Sequence, residues 1–124
     1  MELNEYQKQA LRTCMPTCRN FEYNALNLTA EVGEAFGKIA KEIRKGHVVV
    51  TSNEIKPIFS QLFTLDDYSN LMTEVEKELG DCLWQLSTLC KILGFELEDV
   101  AEQNLEKLSS RQRRNVIDGN GDNR

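Results

Sequence analysis

Apolar residues recur at helical spacing along most of the chain, and they predict an all-α fold. Four main helices are expected, covering residues 4–14, 21–45, 66–93 and 97–111. Asn4 is a good N-cap for the first helix, which Pro16 should stop, and Gly46 should end the second. Thr64 or Asp66 should begin the third. We therefore expect a four-helix bundle formed by a single domain over residues 1–124.

Residues 46–64 interrupt this helical pattern. The segment holds a β-branched run at 48–51, which predicts a short strand, with a helical turn as the alternative. A connection of this length is unusual in a compact domain and suggests a lid or a local excursion. The tail, residues 115–124, is rich in Gly and Asn and should be irregular.

Composition and charge narrow the function classes. The chain has 124 residues, 40% of them hydrophobic, which suits one globular domain. Its net charge of −5 makes polymeric nucleic acid a poor partner. The polar N-terminus argues against a secretory signal, and no apolar run is long enough for a membrane span. We expect a cytoplasmic protein whose four cysteines are reduced thiols.

Two carboxylates border the apolar stripe of the second predicted helix. Glu31 lies beside this stripe, and Glu34 lies about 60° further round the helix. The stripe should face the core and consists of Ala25, Leu28, Val32, Phe36, Ile39 and Ile43. Beyond the acids lie Gly33 and Gly37, and this spacing suggests that another helix approaches closely on that side.

The third predicted helix repeats this arrangement with Glu78 and Asp81 beside its own apolar stripe. If the two stripes pack together, the four acids meet. Carboxylates at such short range raise each other's pKa strongly unless a cation compensates them. Hard oxygen ligands suit Mg²⁺ or Mn²⁺, so the sequence predicts a divalent metal site. The alternative is that both pairs belong to solvated helix edges.

The fourth predicted helix carries Asn104 in the middle of its apolar face, with Lys107 and Arg111 on the adjoining edge. A buried amide requires a hydrogen-bond partner. Amide, ammonium and guanidinium groups together suit phosphate oxygens. The alternative is a structural asparagine beside two cations whose stems cover apolar surface.

These segments together resemble one family, the MazG-like all-α nucleotide pyrophosphohydrolases. The resemblance rests on Glu31-x-x-Glu34, Glu78-Leu79-Gly80-Asp81 and Asn104-x-x-Lys107-Leu108-x-x-Arg111. It covers nearly the whole chain and extends to short phage and prophage members, whose ending is similar to residues 119–124. The spacing between the acid pairs is longer than is usual in the family, mostly within residues 46–66, and this bears on base specificity and subunit contacts.

The resemblance implies a reaction. A nucleoside triphosphate, often a deoxy one, would be cleaved to the monophosphate and pyrophosphate, in housecleaning or control of nucleotide pools. It also implies a homodimer or homotetramer. The alternative function class is a non-catalytic helical module that assembles, or that binds and senses nucleotides.

The resemblance also implies a role for each site residue. Glu31, Glu34, Glu78 and Asp81 would hold Mg²⁺ or Mn²⁺, with Glu34 also orienting or deprotonating the attacking water. The substrate-binding residues would be Asn24 at the base or sugar, Asn104, Lys107 and Arg111 at the phosphates, and Asp122 and Arg124 closing over the site from the tail.

Overall fold

The structure, a computed structural model, describes residues 1–123 and confirms the all-α prediction. The helices are α1 (Leu3–Arg12), α2 (Phe21–Arg44), α3 (Leu65–Ile92) and α4 (Leu97–Arg113). Each helix bound lies within two residues of its predicted position. A 3-10 turn at Pro16–Cys18 links α1 to α2. Among residues 1–123, no helix combines the length and the apolar character needed to cross a bilayer.

The connection between α2 and α3 contains a β-hairpin, so the predicted strand at residues 48–51 is confirmed. Strand β1 (Val48–Thr51) pairs antiparallel with β2 (Glu54–Pro57). The two turn residues, Ser52 and Asn53, have φ values of 50° and 68°. Two successive positive φ angles are typical of the type I′ turn, whose twist matches that of the flanking strands.

Local caps fix the two helix ends that border this connection. Gly46, with a φ of 76°, follows the last turn of α2, as predicted. Thr64, rather than Asp66, is the N-cap of α3. Its hydroxyl accepts from the Asp67 N–H at 3.3 Å, while the Asp67 carboxylate accepts from the Thr64 N–H at 2.7 Å. This capping box ends the connection without help from the rest of the fold.

The prediction that Asn4 caps α1 is wrong, because Glu2 occupies the cap position. Asn4 caps a different helix: its Oδ1 accepts from the Glu98 N–H at 3.0 Å, in the first turn of α4. Gln7 Oε1 accepts from the Leu97 N–H at 3.2 Å. Since α4 has no side-chain cap of its own, α1 satisfies donors that α4 would otherwise leave unpaired.

Gln7 also holds α1 against the end of α3. Its amide nitrogen donates to the carbonyls of Ser87 and Phe95, at 3.1 and 3.2 Å, and its side chain is almost fully buried. Trp84 adds a second link, since its indole N–H donates to the Ala10 carbonyl at 3.1 Å. These bonds join α1, α3 and α4 into one body.

Helices α2 and α3 run antiparallel and pack along their length. Lys38 contacts Glu78, while Glu31, two turns earlier, lies beside Asp81. The helices thus meet through the edges that carry the acids, rather than through the centres of their apolar stripes. Much of both predicted core stripes is therefore exposed in the single chain: Val32, Phe36 and Ile43 on α2, and Leu79, Leu83, Leu86 and Leu93 on α3.

The prediction that a helix packs closely on Gly33 and Gly37 is also wrong within residues 1–123. A Cβ placed on either glycine would meet nothing within 4 Å, and Leu26 on the same side of α2 is 75% exposed. This side of α2 is open because α3 lies against the edge that carries Glu31.

Replacing Gln7 with Ala should destabilise the fold, because the carbonyl of Ser87 on α3 and the N–H of Leu97 on α4 both lose their hydrogen bond to the Gln7 side chain. We expect the free energy of unfolding to fall by about 2–3 kcal/mol, measured by urea denaturation. Gln9→Ala is the matched control, since Gln9 bonds only to Glu5 on the helix surface and should cost a few tenths of a kcal/mol. Equal losses in the two variants would contradict the role of Gln7 as a clamp.

Candidate metal centre

Three of the four predicted acids converge between α2 and α3. Glu31, Glu78 and Asp81 each offer one carboxylate oxygen, and these oxygens lie within 4.8 Å of one another. Glu31 and Glu78 are half-buried, while Asp81 is exposed. Glu78 and Asp81 are three residues apart, which places both on the edge of α3 that faces Glu31. The packing of the two helices therefore creates this acidic cluster.

Two side chains of α2 support the cluster. Asn27 Nδ2 donates to Glu31 Oε1 at 2.8 Å, and the Lys38 ammonium lies 3.1 Å from Glu78 Oε1. The hydrogen bond to Glu78 raises the pKa of Lys38, so this lysine stays charged. One ammonium against three carboxylates still leaves excess negative charge if all three acids are ionised.

The negative field of the cluster reaches neighbouring groups. The pKa of the Cys82 thiol is raised by burial first, and then by the charges of Glu31 and Asp81. Burial and the charge of Asp81 raise the pKa of Tyr6 on α1 in the same direction. Cys82 is one of four cysteines, none of which forms a disulfide within residues 1–123.

The donor set fits a hard divalent cation. Oxygens bound to Mg²⁺ at about 2.1 Å can stand no more than about 4.2 Å apart, so only a small contraction of the cluster is required. Carboxylate oxygens without thiolate or imidazole suit Mg²⁺ or Mn²⁺. Asp81 is exposed, so an ion held there can keep water ligands and reach a substrate.

Glu34 is the acid that the structure does not bring into the group. It lies one turn after Glu31 on α2, and its side chain is exposed. It is close enough to Lys38 to raise that residue's pKa, although Glu78 and Glu74 act on the lysine more strongly. Glu34 thus stands beside the cluster and is open to water.

Asn24 anchors the start of α2. Its Nδ2 donates to the carbonyls of Cys18 and Asn20, at 2.6 and 2.8 Å. The side chain is fully buried, and its Oδ1 has no partner among residues 1–123. Two carbonyl acceptors on one side fix the orientation of the amide, because the nitrogen must face them. A substrate could reach Oδ1 only if neighbouring side chains moved.

The predicted phosphate-binding cations lie at the end of α4, where the tail folds back on them. Asp122 Oδ1 accepts from Arg111 at 2.9 Å and lies 3.5 Å from the Lys107 ammonium. The hydrogen bond from Arg111 and the charge of Lys107 lower the pKa of Asp122. Arg124, the other predicted tail residue, lies outside the described residues.

Asn104 is exposed, so the prediction of a buried amide is wrong for the single chain. The apolar face around it is largely uncovered, since Leu105 is 64% exposed and Leu108 is 40% exposed. Within the described part of the chain, no hydrogen bond or ion pair joins Asn104, Lys107 or Arg111 to the acidic cluster. The structure therefore keeps the acidic cluster between α2 and α3 separate from the polar residues at the end of α4.

Sequence reasoning did not assign Lys38 to the site, although it lies only 3.1 Å from Glu78. The signal was present in the sequence. Lys38 is seven residues after Glu31, which places it on the same edge of α2. Asn27 lies four residues before Glu31 and shares that edge.

Comparison with known proteins supports a single family. The sequence model of one protein family, the MazG nucleotide pyrophosphohydrolase domain, matches residues 19–116. The Gene 37 protein of Mycobacterium phage L5 is 32% identical over 102 residues, which cover 82% of this chain and 75% of the phage protein. No solved structure matches the chain.

If the cluster binds a divalent ion, Mg²⁺ or Mn²⁺ should stabilise the protein through it. At about 100 times the dissociation constant, the gain is about 2.7 kcal/mol, a rise of about 10 °C in melting temperature. Asp81→Asn should abolish this rise in thermal denaturation experiments. Glu76→Gln is the control, because Glu76 is an exposed acid on the same helix but outside the cluster. An ion-dependent rise that persists in Asp81→Asn would place the ion elsewhere.

Proposed function

This chain belongs to the MazG nucleotide pyrophosphohydrolase family, and we propose that it hydrolyses nucleoside triphosphates, deoxynucleoside triphosphates among them, with the help of a divalent metal. The products are the nucleoside monophosphate and pyrophosphate. The observation that carries this proposal is the convergence of Glu31, Glu78 and Asp81 between two antiparallel helices. Such a reaction would serve housecleaning or control of nucleotide pools.

Glu31, Glu78 and Asp81 are the proposed ligands of Mg²⁺ or Mn²⁺. When bound, the ion supplies Lewis acidity and neutralises charge on the phosphates. Asn27 and Lys38 orient two of these carboxylates through a hydrogen bond and an ion pair. Such supporting contacts hold the ligands ready, so that less reorganisation is needed when the ion and substrate arrive.

Glu34 is the proposed general base. Its exposed carboxylate stands one turn from Glu31, where it can accept a proton from a water molecule. The oxygen of that water attacks the α-phosphorus, and the bond from that phosphorus to the α–β bridging oxygen breaks. Pyrophosphate leaves on the side opposite to the water. Positioning and electrostatic stabilisation supply most of the rate in such transfers.

Asn104, Lys107 and Arg111 are the proposed contacts to phosphate oxygens. In the single chain, the two cations already hold the Asp122 carboxylate. A phosphate must therefore displace Asp122 or share the cations with it. Because no hydrogen bond or ion pair joins α4 to the acidic cluster within residues 1–123, we infer that assembly brings α4 of a second copy to the acids.

The exposed apolar stripes support assembly into a dimer or tetramer. When each helix is viewed along its own axis from its N-terminus, the apolar stripe lies on the same rotational side of the acid, Glu31 on α2 and Glu78 on α3. Since the helices are antiparallel, the two stripes emerge on the same side of the pair and form one face. Val32 and Phe36 contribute from α2, and Leu83 and Leu86 contribute from α3. Contiguous apolar surface of this kind is typical of protein interfaces.

Two variants should separate the proposed roles in turnover. Glu78→Gln should remove both hydrolysis and the metal-dependent rise in melting temperature. Glu34→Gln should lower kcat by about 10²–10⁴-fold while keeping much of that rise, if the residue acts on water rather than on the ion. Rates are followed as pyrophosphate release from dNTPs and NTPs, with Glu76→Gln as the control.

Turnover that survives Glu78→Gln would refute the proposed metal centre. A wild-type protein that binds nucleotides without releasing any pyrophosphate would instead support a nucleotide-sensing module.

A charge placed in the apolar face should break the assembly. We expect Leu86→Glu to sediment as a monomer at a concentration where the wild type is a dimer or tetramer. Thr73→Glu is the control, because it adds the same charge to an exposed position on α3 outside the stripe. Circular dichroism checks that both variants stay helical. A wild type that is monomeric at micromolar concentrations would contradict the proposed assembly.

A further inference from the structure

A cleft of about 380 Å³ lies next to the acidic cluster, between the end of α2, the start of α3 and the connecting segment. Lys38 lines this cleft and also contacts Glu78, so it borders both places. The connection contributes His47 and Phe63 to the cleft wall. A substrate held at the acids therefore has this space directly beside it.

A row of three lysines forms one wall of the cleft. Lys38, Lys41 and Lys45 are spaced three and four residues apart, so their side chains share one face of α2. The first two are separated by about 4.5 Å along the helix axis. The row begins beside the acidic cluster and leads away from it.

Three carboxylates also line the cleft, and each is held by a neighbouring group, although only Glu42 and Glu74 pair with a lysine. Glu42 binds Lys45 and His47, at 3.1 and 2.7 Å. Asp67 belongs to the capping box of α3. Glu74 pairs with Lys77 at 2.7 Å.

The Lys41 ammonium makes no hydrogen bond or ion pair within residues 1–123. A metal ion bound to Glu78 would also weaken the hold of that carboxylate on Lys38. The cleft therefore offers positive charge at Lys41 and Lys38.

The phenyl ring of Phe63 in the cleft wall does not suit a nucleobase. Phe63 is only 4% exposed, and His47 stacks on its ring at 4.7 Å. Glu42 fixes the His47 imidazole in this position. No open aromatic face remains on Phe63 for a base to stack on, so the uncompensated charge decides which ligand the cleft favours.

We propose that this cleft holds the β- and γ-phosphates of the substrate, the part that leaves as pyrophosphate, with Lys38 and Lys41 among their ligands. This inference rests on the proposed hydrolysis of nucleoside triphosphates. The α-phosphate lies at the acidic cluster, and the nucleoside extends away from the cleft. The connecting segment thus closes a subsite for the leaving group.

The test compares Lys41→Ala with Arg44→Ala, a control that removes an exposed cation from the same stretch of α2 but outside the cleft. Lys41→Ala should raise the KM for triphosphates and the inhibition constant of inorganic pyrophosphate in parallel, each by about tenfold. Inhibition by the nucleoside monophosphate should not change. Arg44→Ala should resemble the wild type in all three measurements.

Unchanged pyrophosphate inhibition in Lys41→Ala would overturn the proposal, and so would weaker inhibition by the monophosphate alone, which would place the nucleoside in the cleft. Calorimetric titration with magnesium pyrophosphate tests the cleft without turnover. If the wild type hydrolyses no triphosphate, the proposed function fails. The cleft assignment then stands only if pyrophosphate binds the wild type and binds Lys41→Ala about tenfold more weakly.

Discussion

Electrostatic repulsion among carboxylates is the constraint on which the rest of this molecule depends. Glu31, Glu78 and Asp81 lie within 4.8 Å of one another, with the Lys38 ammonium as the nearest compensating charge. Such a group resists close approach of α2 and α3 unless other contacts hold the helices together. The buried Ala35 and the surrounding helix contacts provide that hold. A cation bound there would turn this local repulsion into attraction, and its binding would then be coupled to the packing of α2 against α3.

The same arrangement explains why part of the fold could be predicted from sequence and part could not. Helix positions follow from local periodicity and from caps such as Gly46 and Thr64, and they were predicted closely. The buried face was predicted less well. A helical wheel shows where apolar residues lie, but it does not show which edge meets the partner helix. Phe36 and Leu86 lie in predicted core stripes and yet remain 56% and 44% exposed in the single chain.

Long-range polar contacts were the least predictable feature. Asn4 has the residue type of an N-cap for α1, yet it caps α4, which lies more than ninety residues along the chain. Nothing local distinguishes these two uses. The candidate site divides in the same way: the i, i+3 spacing predicted that Glu78 and Asp81 share one edge, and the structure places Glu31 beside them. Neither spacing nor composition could show that Asp122 would occupy the cations of α4.

The elements that form and border the connection between α2 and α3 are each stabilised by local contacts. Gly46 ends one helix, the box formed by Thr64 and Asp67 begins the next, and the hairpin between them pairs with itself. Insertions or deletions near the tip of the hairpin need not alter the register of α2 against α3. Such a segment can diverge in length and sequence while the acids keep their places. Evolution, or an engineer exchanging loops between relatives, can therefore change the connecting segment without changing the acidic cluster beside it.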